Sequence, residues 1–183
     1  MTMPNTIEIE RLCLRKYQLG DEVSLFETYF SNIEATRFLQ RLPHLTIQQT
    51  RNVLEKWADH YWTINNRDFA WVISDTNTQV AMGVLYFISQ ENHGEIHFGI
   101  GRKFQKQGYM VEALIGVIGY LKQNHVTKVV SSFCAEEHLA SQSVLIKAGF
   151  KQNKDKTYWA KFPMLGDQLY PCFTYRMELG DCE

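Results

Sequence analysis

The sequence lacks an excess of charge of either sign, because 19 lysine and arginine residues stand against 20 aspartate and glutamate residues, for a net charge of -1. General binding to nucleic acid or to a membrane surface needs a clear basic excess, so the composition argues against both partners. Long apolar runs are also missing, since the longest, from Leu114 to Leu121, is too short to span a bilayer. The N-terminal MTMPNTIEIE lacks the basic-then-apolar pattern of a signal peptide. We therefore expect a cytoplasmic protein.

Cysteine is scarce as well, and the spacing of the four cysteines forms no CxxC or Cys/His ligand pattern, so no metal site is predicted. The four are Cys13, Cys134, Cys172 and Cys182. We interpret them as reduced thiols that serve packing, with a buried catalytic thiol as the alternative. No repeat, low-complexity segment or linker interrupts the 183 residues. This length suits one domain over residues 1–183.

The stretch from Gly94 to Leu121 changes its periodicity once. Residues 95–100 alternate polar and apolar side chains, as a half-buried strand does. The later part has the spacing of a helix face, at Val111, Leu114, Ile115, Ile118 and Leu121. A polar loop ending in Gly108 lies between them and carries three cations, Arg102, Lys103 and Lys106. The first turn of a helix offers unpaired N–H groups and partial positive charge, so this order favours a diphosphate site, although many such joins bind nothing.

The other patterns predict short helices and several strands. A phase change in alternation predicts a strand with a bulge near Arg11. A helix is predicted to start at Gly20–Asp21, with an inner face of Val23, Phe26, Phe30 and Ile33. A second, opened by a Thr46–Gln49 capping box and ended at Asn65–Asn66, has an inner face of Val53, Leu54, Trp57, Ala58 and Tyr61. Further strands are predicted at 69–74, 80–89, 126–135, 150–161 and 168–179, and a helix at 139–148 closed by Gly149. Early hairpins followed by crossovers indicate a mixed α/β (α+β) sheet with helices on both faces.

Two blocks carry a resemblance to a known family. Gln105-Lys106-Gln107-Gly108-Tyr109-Met110 is similar to Gln/Arg-x-x-Gly-x-Gly/Ala, and residues 137–150 are similar to Asn-x-x-Ser…Leu-x-Lys-x-Gly-Phe, with His138 in the Asn position. These are motifs of the GCN5-related N-acetyltransferases (GNAT). The opening residues 10–15 resemble the branch that includes ribosomal-protein N-terminal acetyltransferases. The chain departs from the pattern at Lys106, Met110 and His138.

The resemblance implies a three-layer fold with a mixed sheet of about seven strands, in which the central strand and the next one splay apart. It implies acetyl-CoA as acyl donor and no metal. The cofactor is then expected to contact Phe98, Gly99, Ile100, Gln105, Lys106, Gln107, Gly108, Tyr109, Met110, His138 and Ser141. Met110 stands where the family keeps a small residue, and its flexible side chain can point into the core instead.

Acetyl transfer to an amine needs a base, a stabilised oxyanion and an acid for the leaving thiolate. Glu95 and His97 are the base candidates, because residues two apart on a strand project from the same face and can form a proton relay. The alternative is that both are solvated surface residues. Ser141 matches the family serine and is the acid candidate, or an ordinary first-turn cap.

The first two predicted helices are rich in aromatic residues and are expected to form the acceptor side. We predict an acetyl-CoA-dependent N-acetyltransferase that acts by direct transfer on a primary amine, either a peptide N-terminus or a small amine. The aromatic excess serves a homodimer interface as readily as a pocket. The alternatives are a catalytically inactive acyl-CoA-binding regulatory module of the same fold and an unrelated mixed α/β protein.

Overall fold

The computed structural model describes residues 6–64, 68–90 and 93–180, and these form one eight-stranded sheet. Its order is β1-β2-β3-β4-β5-β6-β8-β7. The strands are β1 Thr6–Glu8, β2 Leu12–Arg15, β3 Asp68–Asp75, β4 Ala81–Gln90, β5 His93–Ile100, β6 Val129–Ala135, β7 Lys151–Lys161 and β8 Leu169–Glu178. All neighbours pair antiparallel except β5 and β6, which are parallel. The predicted mixed sheet is therefore confirmed, with eight strands where about seven were expected.

Helices connect the strands and cover both faces of the sheet. They are α1 Asp21–Leu25, α2 Ile33–Thr36, α3 Ile47–Glu55, α4 Tyr61–Ile64, α5 Tyr109–Gln123 and α6 Leu139–Lys147. Two π-helical turns, Phe26–Phe30 and Lys56–His60, extend α1 and α3, and a 3-10 turn, Arg102–Phe104, precedes α5. Among the described residues no helix has both the length and the apolar character needed to cross a membrane.

Two buried clusters hold the helices on the sheet. Helix α5 packs Met110, Leu114 and Val117 against β5 residue Ile96 and the neighbouring strands. On the opposite face, α1 and α3 place Leu25 and Leu54 against Val72 and Val84. Successive side chains of a strand point to opposite faces, so Phe98 and Ile100 face α5, whereas Glu95, His97 and Gly99 face α1 and α3.

Several local predictions are confirmed. The Thr46–Gln49 capping box is present: the Thr46 hydroxyl accepts from the Gln49 N–H, and the Gln49 side chain accepts from the Thr46 N–H. The β3–β4 hairpin turns at Asp75, whose carboxylate accepts from the N–H groups of Asn77 and Thr78 at 3.0 and 2.7 Å. Gly149 ends α6 with a φ of 95°, a left-handed conformation that favours glycine.

The predicted bulge near Arg11 is wrong, because β1 and β2 form a hairpin instead. Ile9 and Leu12 exchange backbone hydrogen bonds of 2.8 and 3.3 Å, and the register pairs Ile7 with Leu14. A hairpin turn and a bulge both move the apolar residues from odd to even positions, so the alternation pattern does not distinguish them. The turn also lacks the glycine or asparagine that would have identified it as a hairpin turn.

The predicted inner face of the first helix is also partly wrong, since Val23 and Ile33 are 44% and 64% exposed. The buried face begins with Asp21 and Glu22 instead. Both carboxylates are ion-paired, Asp21 with Arg15 at 2.7 Å and Glu22 with Arg51 at 2.6 Å. Hydropathy assigns such residues to solvent, whereas pairing allows their burial. The predicted helix end at Asn65–Asn66, and Cys182, lie outside the described residues.

Candidate active site

The sheet opens at its centre, where β5 and β6 part. Within the described part of the chain they pair from His93 to Glu95 against Val129 to Ser131, and no further. The Ser132 hydroxyl donates to the Ile96 carbonyl at 2.7 Å, which satisfies the first backbone group beyond the pairing. The N–H of Gly101 bonds to β4, so by alternation the backbone groups of Phe98 and Ile100 point into the gap. The splay implied by the family resemblance is present.

A cavity of about 410 Å³ occupies this gap. Ten of the eleven predicted cofactor residues line it, and the exception is Gln107. The ten are Phe98, Gly99, Ile100, Gln105, Lys106, Gly108, Tyr109, Met110, His138 and Ser141. The exposed Gln107 instead bonds to the Lys103 carbonyl at 2.9 Å and accepts at its own carbonyl from Arg11. The sequence thus predicted a set of residues that the fold brings together.

The loop before α5 has the backbone conformation that the motif requires. Gly108 is the N-cap of α5 with a φ of 84°, and among the described residues no side-chain hydrogen bond caps the helix. The first N–H groups of α5 can therefore donate to an anion. Lys106 has a φ of 62°, an unusual value for a residue with a side chain. Lys106 lines the cavity, whereas Arg102 pairs with Glu34.

Met110 packs into the core below the cavity and is only 6% exposed. Its helical spacing places it beside Leu114 in the same cluster. A side chain directed into the core does not fill the space before the helix N-terminus. The departure from a small residue is thus accommodated by packing, as one reading of the sequence expected.

His138 closes one wall of the cavity and stacks on Phe38 with ring centroids 4.7 Å apart. Burial lowers the pKa of His138 to about 4, so the imidazole is neutral at physiological pH. Phe38 follows α2, and Ala35 and Leu39 from the same segment also line the cavity. The stack therefore joins the α2 segment to the start of α6.

Ser141 lines the cavity from the first turn of α6 and hydrogen-bonds to Cys134. Cys134 is buried, and burial raises the pKa of its thiol to about 11. Cys13, Cys134 and Cys172 are all free thiols. A protonated thiol is a weak nucleophile, and Cys134 does not line the cavity, whereas Ser141 does. Ser141 is therefore the better candidate of the two for a chemical role at this wall.

Glu95 and His97 form the predicted pair, with 2.5 Å between Glu95 Oε1 and His97 Nε2. Their side chains are 28% and 29% exposed, so neither is a fully solvated surface residue. The His97 ring packs edge-on against Phe133, with a centroid distance of 5.0 Å. The pair does not line the cavity. It lies on the α1 and α3 face of β5, two residues before Gly99, which does.

Tyr29 is a cavity residue whose position the sequence did not predict beyond a general aromatic acceptor side. It is 4% exposed and lies over Gly99, where a Cβ would overlap its hydroxyl and ring. Burial raises the pKa of the Tyr29 hydroxyl, which therefore stays protonated. No local pattern relates Tyr29 to Gly99, since the contact joins residues that are distant in the chain.

Comparison with known proteins gives the same family. A family model described as an acetyltransferase (GNAT) domain matches residues 11–151. The chain is 28% identical over 116 residues to an uncharacterized N-acetyltransferase, p20, of Bacillus licheniformis. That match spans 63% of this chain and 65% of the relative's length.

Solved structures agree on the fold. The microcin self-immunity acetyltransferase MccE, solved with acetyl-CoA and AMP, superposes with a TM-score of 0.81 at 17% identity, covering 97% of this chain and 98% of that one. RimL, a ribosomal alpha-N-protein acetyltransferase solved with coenzyme A, gives 0.76 at 17%, covering 94% and 97%. These likenesses confirm the predicted three-layer fold. Because the family model covers well over half of the chain, the protein belongs to the GNAT acetyltransferase family, which confirms the family that the sequence predicted.

Proposed function

We propose that this protein transfers an acetyl group from acetyl-CoA directly to a primary amine. The observation that carries the proposal is the cavity in the gap between β5 and β6. It connects the free N-terminus of α5 with Gly99, and Gly99 lies two residues from the Glu95–His97 pair. A donor and an acceptor can therefore meet at one point of β5.

The residues present fit the cofactor. The uncapped N-terminus of α5 and the ammonium of Lys106 offer positive charge for a diphosphate. The backbone groups of Phe98 and Ile100 offer strand-like pairing to an amide-containing arm. MccE and RimL were solved with this class of ligand. When bound, acetyl-CoA supplies the activated acyl group.

The Glu95–His97 pair is proposed as the base. The 2.5 Å contact between the carboxylate and the imidazole allows a proton to pass from an acceptor amine to either group, directly or through water. A backbone N–H of β5 that faces the gap would donate to the developing oxyanion. Phe98 and Ile100 provide such groups.

Ser141 is proposed to donate the proton that the leaving thiolate needs. Ser141 lines the cavity, and its neighbour Cys134 is held as a thiol with a pKa of about 11. That protonation state argues against an acetylated cysteine and supports direct transfer. Tyr29 offers a second protonated hydroxyl, next to Gly99.

A peptide N-terminus or a small amine is the proposed acceptor. The aromatic rings of Phe133 and Tyr158, 4.4 Å apart, extend from His97 and offer an apolar wall beside the amine. RimL is an alpha-N-protein acetyltransferase, and its similarity to this chain favours a peptide N-terminus over a small amine as the acceptor. We also propose that the protein forms a single domain, is located in the cytoplasm and assembles as a homodimer.

The test compares Glu95→Gln with the exposed control Glu55→Gln. We expect Glu95→Gln to lower kcat by about 10²–10⁴-fold, as loss of a general base does, with CoA affinity unchanged by calorimetry. The control should leave both quantities unchanged. Unaltered turnover in Glu95→Gln would falsify the base assignment.

The same measurements separate the alternative function. A wild-type protein that binds CoA without releasing it across a panel of peptides and amines is the inactive acyl-CoA-binding module. A wild-type protein that binds no CoA at saturating concentration overturns the proposal as a whole.

A further inference from the structure

The tip of the β1–β2 hairpin contacts the N-terminus of α5, about a hundred residues further along the chain. Arg11 makes most of these contacts. Its Nε lies 2.7 Å and its Nη2 2.6 Å from Oε2 of Glu112, and its backbone N–H donates to Oε1 at 3.0 Å. Both terminal nitrogens donate to the Gln107 carbonyl at 3.3 Å. The guanidinium also covers the Tyr109 ring, 4.5 Å from its centroid.

These partners lie around the proposed diphosphate position, but only Tyr109 among them lines the cavity. Glu112 lies in the first turn of α5, and Gln107 and Tyr109 flank the N-cap Gly108. Gly108 and Tyr109 line the central cavity, whereas Arg11 does not. Arg11 therefore reaches the loop from outside the cavity and acts on it through its neighbours.

Glu112 poses an electrostatic problem for an anion site. A carboxylate in the first turn stabilises a helix, but its negative charge repels a diphosphate bound at the same N-terminus. The Glu112 side chain is 19% exposed, so solvent screens it only in part. Arg11 binds both carboxylate oxygens, Oε2 through the guanidinium and Oε1 through its backbone N–H, and the charge of the guanidinium offsets that of the carboxylate. Its fork also fixes the Gln107 carbonyl, and with it the path of the chain into Gly108.

We propose that Arg11 is a positioning residue for the diphosphate of CoA, which neutralises Glu112 and fixes the loop at Gln107. This inference rests on the proposed function. The competing explanation is that Arg11 only anchors the hairpin on the helix. The two explanations differ in the CoA affinity they predict when Arg11 and Glu112 are both replaced. If Arg11 neutralises Glu112, removing the carboxylate compensates for removing the guanidinium. If Arg11 only anchors the hairpin, it does not.

The experiment is a double-mutant cycle on ligand affinity, with Arg11→Gln, Glu112→Gln and the double variant. Calorimetry measures Kd for CoA and for dephospho-CoA, which retains the diphosphate, and competition measures it for pantetheine, which lacks it. We expect Arg11→Gln to weaken CoA and dephospho-CoA by about tenfold, the scale of one unpaired charge near a dianion at a partly solvated site. Glu112→Gln should change either Kd by less than about twofold. The double variant should regain most of the loss, and pantetheine should bind all four proteins alike.

The outcomes separate the explanations. An unchanged CoA affinity in Arg11→Gln, a double variant as weak as Arg11→Gln, or an equal loss for pantetheine would each overturn the role of Arg11. Thermal unfolding of each variant checks the fold. If Arg11→Gln is unfolded, Arg11→Lys replaces it, since it keeps the charge and loses the fork, and it should retain CoA affinity within about threefold. A wild-type protein that binds no CoA would instead refute the proposed function on which the inference rests.

Discussion

His138 should make the stability of the protein sensitive to mildly acidic pH. It stacks on Phe38 in the cavity wall, and burial lowers its pKa from 6.5 to about 4. The replacement His138→Asn introduces the residue that the family motif has at this position and removes the titrating group. We expect the variant to lose less stability than the wild type as the pH falls.

The sign and size follow from linkage between protonation and folding. Burial lowers the pKa of His138 in the folded state. The contribution of the neutral histidine to the free energy of unfolding is therefore fully present above the unfolded pKa of 6.5 and is lost as the pH falls toward 4. At about pH 5 the unfolded chain binds the proton almost fully and the folded chain hardly at all, which costs about 2 kcal/mol. Partial exposure of the side chain reduces this to roughly 1–2 kcal/mol.

Urea unfolding at about pH 7.5 and about pH 5 measures the effect. The fall in unfolding free energy between the two pH values should be smaller by about 1–2 kcal/mol in His138→Asn than in the wild type. His60→Asn, at an exposed position, controls for the loss of a histidine. If His138→Asn loses as much stability as the wild type on acidification, His138 does not resist protonation in the folded state.

Three further changes test the packing and electrostatics around the site. Gly99→Ala should destabilise by about 1–3 kcal/mol in urea unfolding, because the new methyl group overlaps both the hydroxyl and the ring of Tyr29; Tyr29→Phe should not rescue it, and rescue would contradict the ring overlap. Lys106→Gly should raise the unfolding free energy by up to about 1 kcal/mol by relieving the φ of 62°, and a lower value would mean that the lysine side chain outweighs the strain. Burial alone would raise the pKa of Glu22, but hydrogen bonds from Arg51, Tyr17 and backbone N–H groups lower it from 4.5 to about 2. This contribution is present above about pH 4.5 and lost as the pH falls toward 2, so Glu22→Gln should cost about 3 kcal/mol at neutral pH; equal stability of variant and wild type would refute it.

Strong local signals predicted the elements that form the site. The helix predicted after Gly108, from the apolar face that runs from Val111 to Leu121, is α5, Tyr109–Gln123, with Gly108 as its N-cap. A glycine in the left-handed region, an apolar stripe and a preceding alternating strand act over a few residues, so they are visible in the sequence. The capping box at Thr46 and the Gly149 terminus are predictable for the same reason.

Interactions between distant parts of the chain were not predictable in this way. Glu22 is buried because Arg51, 29 residues further along the chain, pairs with it, and no periodicity encodes such a partner. The overlap of Tyr29 with Gly99 and the contact of Arg11 with Glu112 also depend on the tertiary fold. The sequence therefore predicted which motifs line the cavity, but not the side chains that reach them from the first two strands and helices.

The parting of β5 from β6 has a kinetic consequence. The gap passes through the sheet, with Tyr29 and Leu39 lining it from one face and Met110 and Val111 from the other. In the reaction proposed above, a donor in the gap and an acceptor beside His97 would approach Gly99 from different directions, so neither has to leave before the other enters. Both substrates can then reside on the protein together, and double-reciprocal plots of the rate should intersect rather than run parallel.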